Sequence, residues 1–413
     1  MGVSYVRKEG TSFEGIFQPS LQVLREIVIF VRMPIIRILL SVACLVSMVC
    51  CTGRSGMQPL PRMAEGVLDL RDTVSLGLER LPEAEMVMVH RSDGYVNNVL
   101  LTYFRGEYYC MWQASERDED TPDTRVLCSR SADGVAWGEP ALLAGPTDST
   151  FVSPGGWIAR GDSLAAVLNY ACAPDRSKGG TAWYSITRDG IGWSGPQPVR
   201  MADGSPVDGI FEQDPLLLPS GRTVGAVHFR PGLTPNPVWT DDPSALEGWV
   251  RGRFPVGTGK PLEPSQYRLP DGTLVMFFRD QASSFVKLAS TSTDNGKSWT
   301  APAPTNIPDS RSKQCTGILP DGRAFWVGNP TGNKSRRALV LALSTDGLLF
   351  DQAWLLAGPT DLPSRRHVGR YKTLGYNYPK AVVLNGYLWI SFSVNKEDAA
   401  LIRVPMEELQ EIR

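Results

Sequence analysis

The stretch Tyr267–Phe278, YRLPDGTLVMFF, contains an apolar run, a tight turn at Gly272 and a second run of apolar and aromatic residues. Two such runs around a glycine turn are typical of a β-hairpin. The pattern recurs five more times, at intervals of about 50 to 64 residues, with turn glycines Gly106, Gly161, Gly221, Gly322 and Gly386. A repeat of this length indicates an array of similar structural units.

A second motif alternates with these hairpins. Its fullest copy is Ser292–Trp299, STDNGKSW, and shorter copies surround Asp133, Asp189 and Asp346. Serine, threonine and aspartate side chains can accept hydrogen bonds from the amides of a tight turn, and glycine supplies a positive φ angle. We therefore interpret these residues as structural rather than catalytic. The segment 240–249, TDDPSALEGW, lies where a diverged copy is expected.

One hairpin and one such turn make a four-stranded sheet, which cannot bury both of its faces alone. Six sheets that pack radially bury these faces against one another. The sequence therefore predicts an all-β fold, a six-bladed β-propeller of four-stranded antiparallel sheets, over residues 82–406. The composition agrees, because 40 glycines and 32 prolines for turns occur with 11 tryptophans, 12 tyrosines and 14 phenylalanines.

Net charge and cysteine spacing exclude several classes of partner. A formal net charge of −1 over 413 residues lacks the basic excess that phosphate binding needs, so we expect no nucleic-acid partner. The cysteines of the predicted propeller have no CxxC spacing, which argues against a structural zinc site. No motif for another metal or for a cofactor is visible. We expect a monomer that acts without a cofactor.

Residues 1–51 are interpreted as a signal or anchor region. The segment 38–51, ILLSVACLVSMVCC, is uncharged and follows a basic segment. It is shorter than the roughly 20 residues that a membrane-spanning helix needs, and it is typical of a secretory signal. We expect export to the periplasm or the cell surface, with membrane contact only through a signal anchor or a lipid on Cys50 or Cys51. A plain signal peptide is the alternative, and residues 52–81 are predicted to be a linker.

The innermost strand of a propeller blade runs along the central channel and ends at a pocket. If the six inner strands share one register and none carries a bulge, the residues nine positions before each turn glycine lie at the same height. They would then form one layer around the channel. This layer consists of Asn97, Val152, Glu212, Glu263, Lys313 and Asn377. The second hairpin strands return to the same end with Arg230 and Arg279. A layer this polar is not a core pattern, so we expect a binding site.

Paired carboxylates with a tyrosine and arginines suit the cleavage of a glycosidic bond. One acid protonates the leaving oxygen while a second group meets the oxocarbenium-like centre of the sugar. An arginine fork can bind both oxygens of a substrate carboxylate. A tyrosine nucleophile needs a neighbouring base, because the pKa of a free tyrosine is about 10.

The turn motifs resemble the Asp boxes, or BNR repeats, of the sialidase superfamily, and the chain is similar to family 33 glycoside hydrolases. The segment 260–280, KPLEPSQYRLPDGTLVMFFRD, resembles the sialidase segment in which a glutamate precedes a hairpin and an arginine ends it. The resemblance implies that Glu263 polarises the nucleophile and that Arg279 binds the substrate carboxylate. The segment 329–347, NPTGNKSRRALVLALSTDG, implies Arg337, beside Arg336, as a further carboxylate ligand.

Two more roles follow from this resemblance. The segment 375–398, GYNYPKAVVLNGYLWISFSVNKED, is similar to the strand that bears the nucleophile, which implies Tyr378, with Tyr376 second. Asp120 precedes the first Asp box where the family places its general acid/base. The chain departs from the family at 95–99, YVNNV, where the first arginine of the carboxylate-binding triad is missing.

The resemblance implies an exported, sialidase-like exo-glycoside hydrolase that removes a terminal acidic sugar from a glycan with retention of configuration. Asp120, Glu263 and Tyr378 are its candidate catalytic residues. The candidate substrate-binding residues are Arg279, Arg337, Glu212, Asn97 and Arg230. Two alternatives stay open. The propeller can be a polysaccharide lyase or another exo-glycosidase for uronate- or rhamnose-containing glycans, or it can bind glycans without catalysis.

Overall fold

Six antiparallel sheets form the six blades of a β-propeller in a computed structural model, which describes residues 59–172 and 179–411. The predicted all-β, six-bladed fold is confirmed. Helical structure in the described residues is confined to a 3₁₀ turn at Pro359–Asp361 and the helix α1 at Met406–Glu411. None of the described helices has the length and apolar character needed to cross a bilayer. The predicted signal or anchor region, 1–51, lies outside the described residues.

The strands of each blade follow one another from the channel outward, and most blades have four. The short strands β1 (Arg62–Met63) and β2 (Glu85–Arg91) come first in the chain. Blade one has β3 (Tyr95–Phe104), β4 (Glu107–Ser115), β5 (Arg125–Ser131) and β6 (Ala141–Ala144). Blade two has β7 (Thr150–Arg160), β8 (Ser163–Cys172), β9 (Gly180–Thr187) and β10 (Gln197–Pro198). Blade three has β11 (Gly209–Phe211), β12 (Leu216–Leu217), β13 (Thr223–Phe229), β14 (Thr234–Thr240) and β15 (Val250–Arg251).

The remaining blades follow the same plan. Blade four has β16 (Pro261–Arg268), β17 (Leu274–Asp280), β18 (Val286–Ser292) and β19 (Ala303–Pro308). Blade five has β20 (Cys315–Ile318), β21 (Ala324–Gly328), β22 (Leu339–Ser344) and β24 (Gln352–Ala357), with β23 (Leu349–Phe350) beside it. Blade six has β25 (Tyr376–Leu384), β26 (Tyr387–Val394) and β27 (Asp398–Pro405), and β2 is its outermost strand.

The ring is closed by a strand from the other end of the propeller sequence. The strand β2 precedes blade one in the chain but pairs antiparallel with β27 of blade six, where Glu85 lies opposite Arg403. The two ends of the propeller therefore hold each other in one sheet. The predicted linker also folds from residue 59 onward, because β1 pairs with β23 and Met63 and Leu76 are buried in the core. These segments belong to one compact unit with the propeller, which begins at Pro59.

The inner strands are interrupted at the pocket end. Bulges occur in β3, β16 and β25, and their left-handed residues are Asn98, Glu263 and Tyr378, with φ angles of 51°, 51° and 58°. In blade three, residues 212–215 separate β11 from β12. The equal register predicted from the sequence therefore ends at these positions. A bulge changes the direction of a side chain, and bulges often occur next to active sites.

The Asp boxes close turns, as predicted. In the fullest copy, Gly296 N donates to Ser292 Oγ at 3.0 Å, Ser298 N donates to Asp294 Oδ1 at 2.8 Å, and Trp299 Nε1 donates to Gly296 O at 3.1 Å. In the diverged copy, the indole of Trp249 donates to a backbone carbonyl at 3.1 Å. These contacts use the aspartates to hold backbone amides, so the motif is structural.

Replacement of two turn glycines by alanine separates backbone strain from packing between blades. Gly106 and Gly134 have φ angles of 88° and 77°, but a Cβ at Gly106 meets no atom within 4 Å, whereas at Gly134 it lies 2.6 Å from Trp389 of blade six. Both variants should lose about 1–2 kcal/mol through left-handed strain. Gly134→Ala should lose about 1–3 kcal/mol more, because it overpacks the contact. Urea denaturation measures this difference, and equal midpoints would contradict the interblade contact.

Candidate active site

Two of the bulges bring a carboxylate, a guanidinium and a phenol together. Arg279, on β17, lies opposite Leu262 of β16 and points to the same end of blade four as Glu263. Its Nη1 atom lies 3.0 and 2.8 Å from the Glu263 carboxylate oxygens and 3.3 Å from Tyr378 Oη. A further bond, from Arg279 Nε to Gln281 Oε1, measures 3.1 Å. The structure therefore places Glu263, Arg279 and Tyr378 in one cluster. Glu263 and Arg279 come from blade four, and Tyr378 comes from blade six.

Three more cations surround the Tyr378 ring. Lys313 Nζ lies 4.8 Å from the ring centroid, and Arg336 Cζ and Lys396 Nζ each lie 5.4 Å from it. Contacts of this length are favourable because the face of an aromatic ring attracts positive charge. Positive charge around the ring also favours the phenolate over the phenol. These cations would therefore stabilise the Tyr378 side chain in any reaction in which it becomes, or leaves as, a phenolate.

Charge and burial give Glu263 and Tyr378 opposite protonation states. Burial alone would raise the pKa of the Glu263 carboxyl, but the positive charges of Arg279 and Lys313 hold this pKa below its ordinary value. Burial raises the pKa of Tyr378 well above its usual value, and the neighbouring Glu263 raises it further, against the lowering effect of Arg279. At neutral pH the pair therefore consists of a carboxylate and a phenol, which is the arrangement that a base and a nucleophile need.

Glu212 occupies a second, buried part of this cluster. It lies in the interruption between β11 and β12 and forms an ion pair with Lys313. Lys313 Nζ also donates to Asn98 Oδ1 at 3.1 Å, which connects blade five to the bulge of blade one. Burial would raise the pKa of Glu212, but Lys313 and His228 hold it well below its usual range. Glu212 is therefore a fixed negative charge, and we do not assign it proton transfer.

The loop that carries Asp120 is held at three consecutive residues. Asp118 accepts a hydrogen bond from the backbone N–H of Tyr371 at 3.0 Å, Glu119 pairs with Lys396 at 2.8 Å, and Gln113 donates to Asp120 at 3.3 Å. Lys396 is also one of the cations around Tyr378, so the acidic loop and the phenol border the same pocket. Asp120 has a φ angle of 60°, which aspartate tolerates better than most residues.

Asp120 has the protonation behaviour of a general acid. Burial raises the pKa of its carboxyl to about 7, and the neighbouring Glu119 contributes to the increase. A carboxyl group with this pKa carries a proton in a large fraction of molecules at neutral pH and can give it up in a reaction. Asp120 and Glu263 thus have carboxyl groups whose pKa values are displaced in opposite directions, which separates an acid from a base.

Glu119→Gln should lower the pKa of Asp120. The substitution removes the negative charge beside Asp120 and leaves Lys396 without its carboxylate partner. Because the acid form of Asp120 is the active one in our account, the fall of kcat/KM at high pH should move to lower pH. A pH–rate profile measures this shift. Glu116→Gln, an exposed position of the same loop, is the control and should leave the profile unchanged. An unshifted profile in Glu119→Gln would contradict the assignment.

Three of the residues predicted from the sequence lie differently. Arg337 is exposed and borders a separate depression with Arg365, whereas its neighbour Arg336 is buried and lies over the Tyr378 ring. The arginine that reaches Tyr378 is therefore the neighbour of the one that the resemblance implied, in the segment that precedes β22. Arg230 pairs with Asp208 at 2.5 Å, and the described contacts do not connect it to Tyr378. Asn97 donates to Glu119 at 3.3 Å, so it supports the acidic loop.

The residues that sequence reasoning missed are mostly lysines. Lys313 was visible in the predicted polar layer, but nothing in the sequence indicated that its ammonium group reaches the tyrosine ring. Lys396 lies in the turn between β26 and β27, with a φ angle of 55°, and reaches the pocket from outside the inner strands. No spacing signal predicts this approach, because the repeat describes the hairpins and not the turns that join them.

The described residues contain no group of three or more histidine, cysteine or acidic side chains that could hold a metal ion. Cys110, Cys128, Cys172 and Cys315 are free thiols, and Cys172 is partly exposed while the other three are buried.

The turn motifs and the ring of six sheets decide the family. The profile of the BNR repeat-like domain matches residues 106–390, which is more than half of the chain. The chain belongs to the BNR repeat-like family. The match extends from the first hairpin turn to the hairpin of blade six, so this BNR propeller carries its family signature throughout the ring. No curated protein sequence matches the chain.

Solved structures show the same fold. A protein titled "Sialidase" superposes with a TM-score of 0.63 at 18% identity over 84% of this chain and 35% of its own. A mutant of the NanB sialidase from Streptococcus pneumoniae gives 0.60 at 13% identity over 78% of this chain and 71% of its own. A protein of unknown function from Dyadobacter fermentans gives 0.58 at 16% identity over 78% of this chain and 99% of its own.

These likenesses confirm the predicted resemblance to sialidases at the level of the fold. The BNR propeller spans about a third of the length of the first sialidase, so the activity of that whole protein does not carry over by similarity.

Proposed function

We propose that this BNR propeller is an exo-acting glycoside hydrolase of the sialidase type, which releases a terminal acidic sugar with retention of configuration. The observation that carries the proposal is the position of Arg279, whose Nη1 atom contacts both the Glu263 carboxylate and Tyr378 Oη. Asp120, with its raised pKa, is adjacent in sequence to Glu119, whose partner Lys396 lies at the Tyr378 ring. An acid, a base and a nucleophile are the three groups that a retaining mechanism with a tyrosine nucleophile uses.

The first step forms a covalent intermediate. Tyr378 Oη attacks the anomeric carbon and loses its proton to the Glu263 carboxylate, while Asp120 gives its proton to the departing glycosidic oxygen. The bond from the sugar to the leaving group breaks as the bond to tyrosine forms. A phenol nucleophile is useful here because it is neutral before the attack, whereas a carboxylate would repel an anionic sugar.

The second step restores the enzyme. Asp120, now a carboxylate, accepts a proton from a water molecule, which attacks the anomeric carbon and breaks the bond to Tyr378. Glu263 returns its proton to the phenolate oxygen. Two successive displacements at the same carbon give retention of configuration. The cations around the ring stabilise the phenolate as it departs.

The charge of the pocket supports an acidic substrate. Arg279 contacts the Tyr378 hydroxyl and Arg336 lies over the Tyr378 ring. Both arginines are largely buried, so they can bind a carboxylate in a region of reduced dielectric constant. In the segment 95–99, where the resemblance to sialidases lacks an arginine, Asn98 Oδ1 accepts a hydrogen bond from Lys313 Nζ at 3.1 Å. The positive charge of the pocket is therefore partly supplied by lysine.

A panel of fluorogenic glycosides tests the proposal. The panel contains a sialoside, a glucuronide, a galactoside and a rhamnoside, and wild-type protein is compared with Tyr378→Phe. The proposal predicts turnover of an acidic member by the wild type and none by the variant. Turnover of neutral sugars only would remove the acidic-substrate assignment. Absence of turnover, with an unsaturated product from a uronate polysaccharide detected by ultraviolet absorption, would favour the lyase.

We also propose that the protein is exported through its N-terminal region and meets its glycan substrate outside the cytoplasm. The uncharged segment 38–51 supports this proposal. Fractionation of cells that express the full chain, with and without residues 1–51, tests it. Equal distribution of both forms would contradict it.

A further inference from the structure

His228 lies between the two carboxylates of the pocket. It belongs to β13 of blade three, is 1% exposed, and its Nε2 atom accepts a hydrogen bond from the backbone N–H of Glu263 at 3.1 Å. Its other ring nitrogen, Nδ1, is 3.6 Å from Glu212 Oε1 and has no closer polar partner among the described residues. The imidazole therefore spans the space between Glu212 of its own blade and Glu263 of the next.

The direction of the first hydrogen bond determines where the imidazole carries its proton. A backbone N–H can only donate, so Nε2 must present its lone pair and carry no hydrogen. The single proton of a neutral imidazole then lies on Nδ1, which faces the Glu212 carboxylate. A protonated, positively charged His228 would carry a hydrogen on Nε2 and turn it toward the hydrogen of the Glu263 N–H, so the hydrogen bond would be lost.

The hydrogen bond from Glu263 N–H to His228 lies where the backbone of β16 is strained. Glu263 forms the bulge of β16 with a φ angle of 51°, and a left-handed conformation costs about 1–2 kcal/mol for a residue with a side chain. A bulge also leaves backbone groups without a strand partner. The N–H of Glu263 is such a group, and His228 supplies its acceptor.

We infer that His228 is a positioning residue which, as the neutral Nδ1–H tautomer, fixes the Glu263 bulge and thereby directs the Glu263 carboxylate to Arg279 and Tyr378. The imidazole touches neither the tyrosine nor the expected substrate position, so it acts through Glu263. Its contribution to catalysis rests on the proposed function, but its tautomer and its hydrogen bonds do not.

Nitrogen NMR of the full chain tests the tautomer without any substrate. The sequence contains three histidines, so ¹⁵N-histidine labelling gives few signals, and His228→Gln assigns the signal of interest. We expect the His228 signals of a ring with the proton on Nδ1 and a non-protonated Nε2. His90 and His367 are internal references. A proton on Nε2, or a charged ring at neutral pH, would overturn the inference.

Two variants test the positioning role. The amide of glutamine can place its oxygen near the former Nε2 and keep an acceptor for Glu263 N–H, whereas the shorter asparagine can only replace Nδ1 and its bond to Glu212. We expect His228→Gln to retain kcat within about fivefold and His228→Asn to lose about 10- to 100-fold in kcat with little change in KM. Equal losses in both variants, with circular dichroism showing both folded, would overturn the role.

The two proposals fail in different ways. If the wild type hydrolyses no glycoside, the proposed function fails, while the NMR result still decides the tautomer. If the wild type is active and the tautomer is the other one, this inference fails and the proposed function stands.

Discussion

Tyr378→Phe should reduce kcat by about 10³-fold or more, because removal of a catalytic nucleophile generally has an effect of this size or larger. The variant keeps the aromatic ring and therefore the contacts with Lys313, Arg336 and Lys396. It loses only the hydroxyl, whose described partner is Arg279 at 3.3 Å. Binding of an acidic sugar should persist, so calorimetric titration should give a dissociation constant close to that of the wild type.

Tyr376→Phe is the matched control for this experiment. Tyr376 was the second candidate for the nucleophile, but its hydroxyl donates to the carbonyl of Gly358 at 3.0 Å, in the core of the propeller. The variant should lose about 1 kcal/mol of stability through this hydrogen bond and keep its activity. An inactive Tyr376→Phe together with an active Tyr378→Phe would reverse the assignment of the nucleophile.

Asp120→Asn should reduce kcat/KM by about 10²- to 10⁴-fold for substrates whose leaving group needs a proton, which is the usual contribution of a general acid. The loss should be much smaller for aryl glycosides, whose leaving groups depart without protonation. The pKa of Asp120 is raised to about 7, so the acid is present below this pH and is lost as the pH rises through it. The fall in activity at high pH should therefore be present in the wild type and absent in the variant.

Asp123→Asn is the control within the same loop. Asp123 accepts the backbone N–H of Glu116 at 2.7 Å and has no contact with Gln113 or Tyr378 among the described residues. Its substitution should leave the leaving-group dependence and the pH profile unaltered. If Asp120→Asn lost the same factor with aryl and with oligosaccharide leaving groups, Asp120 would not be the proton donor.

The repeat made the architecture predictable. Six hairpins around glycine turns and the interleaved Asp boxes fix the number of blades, because each motif has a local physical cause that is visible in a few residues. The pairing of β2 with β27 was not predicted, since a contact between residues more than 300 positions apart leaves no local pattern. The burial of Met63 and Leu76 was missed for the same reason.

The site was predictable where the backbone is regular and less so where it is not. Arg279 and Glu263 follow from their spacing to the turn glycine of blade four, and Tyr378 was found through resemblance. The bulges at Asn98, Glu263 and Tyr378 could not be read from spacing, because a bulge inserts a residue without a compositional signal. Arg336, rather than its neighbour Arg337, lies over the Tyr378 ring, and both precede β22 in a segment that the hairpin repeat does not describe.

The cations around Tyr378 are the part of the site that the sequence did not predict. Lys396 approaches Tyr378 from the turn after β26 and is held there by Glu119 from blade one. Two loops from different blades must meet before this charge has a partner. Sequence analysis describes each loop separately, so it does not pair these two residues.

Peptide mapping by mass spectrometry is the most direct test of the central claim. The protein is first incubated with a glycosyl fluoride of the sugar that it releases, with a second fluorine on the carbon next to the anomeric carbon. This second fluorine slows the release of the sugar, so a covalent intermediate accumulates. The account predicts one added sugar on the peptide that contains Tyr378, and none in Tyr378→Phe. An adduct on Glu263, on Glu212 or on any other residue, or rapid turnover with inversion of configuration and no adduct, would contradict it.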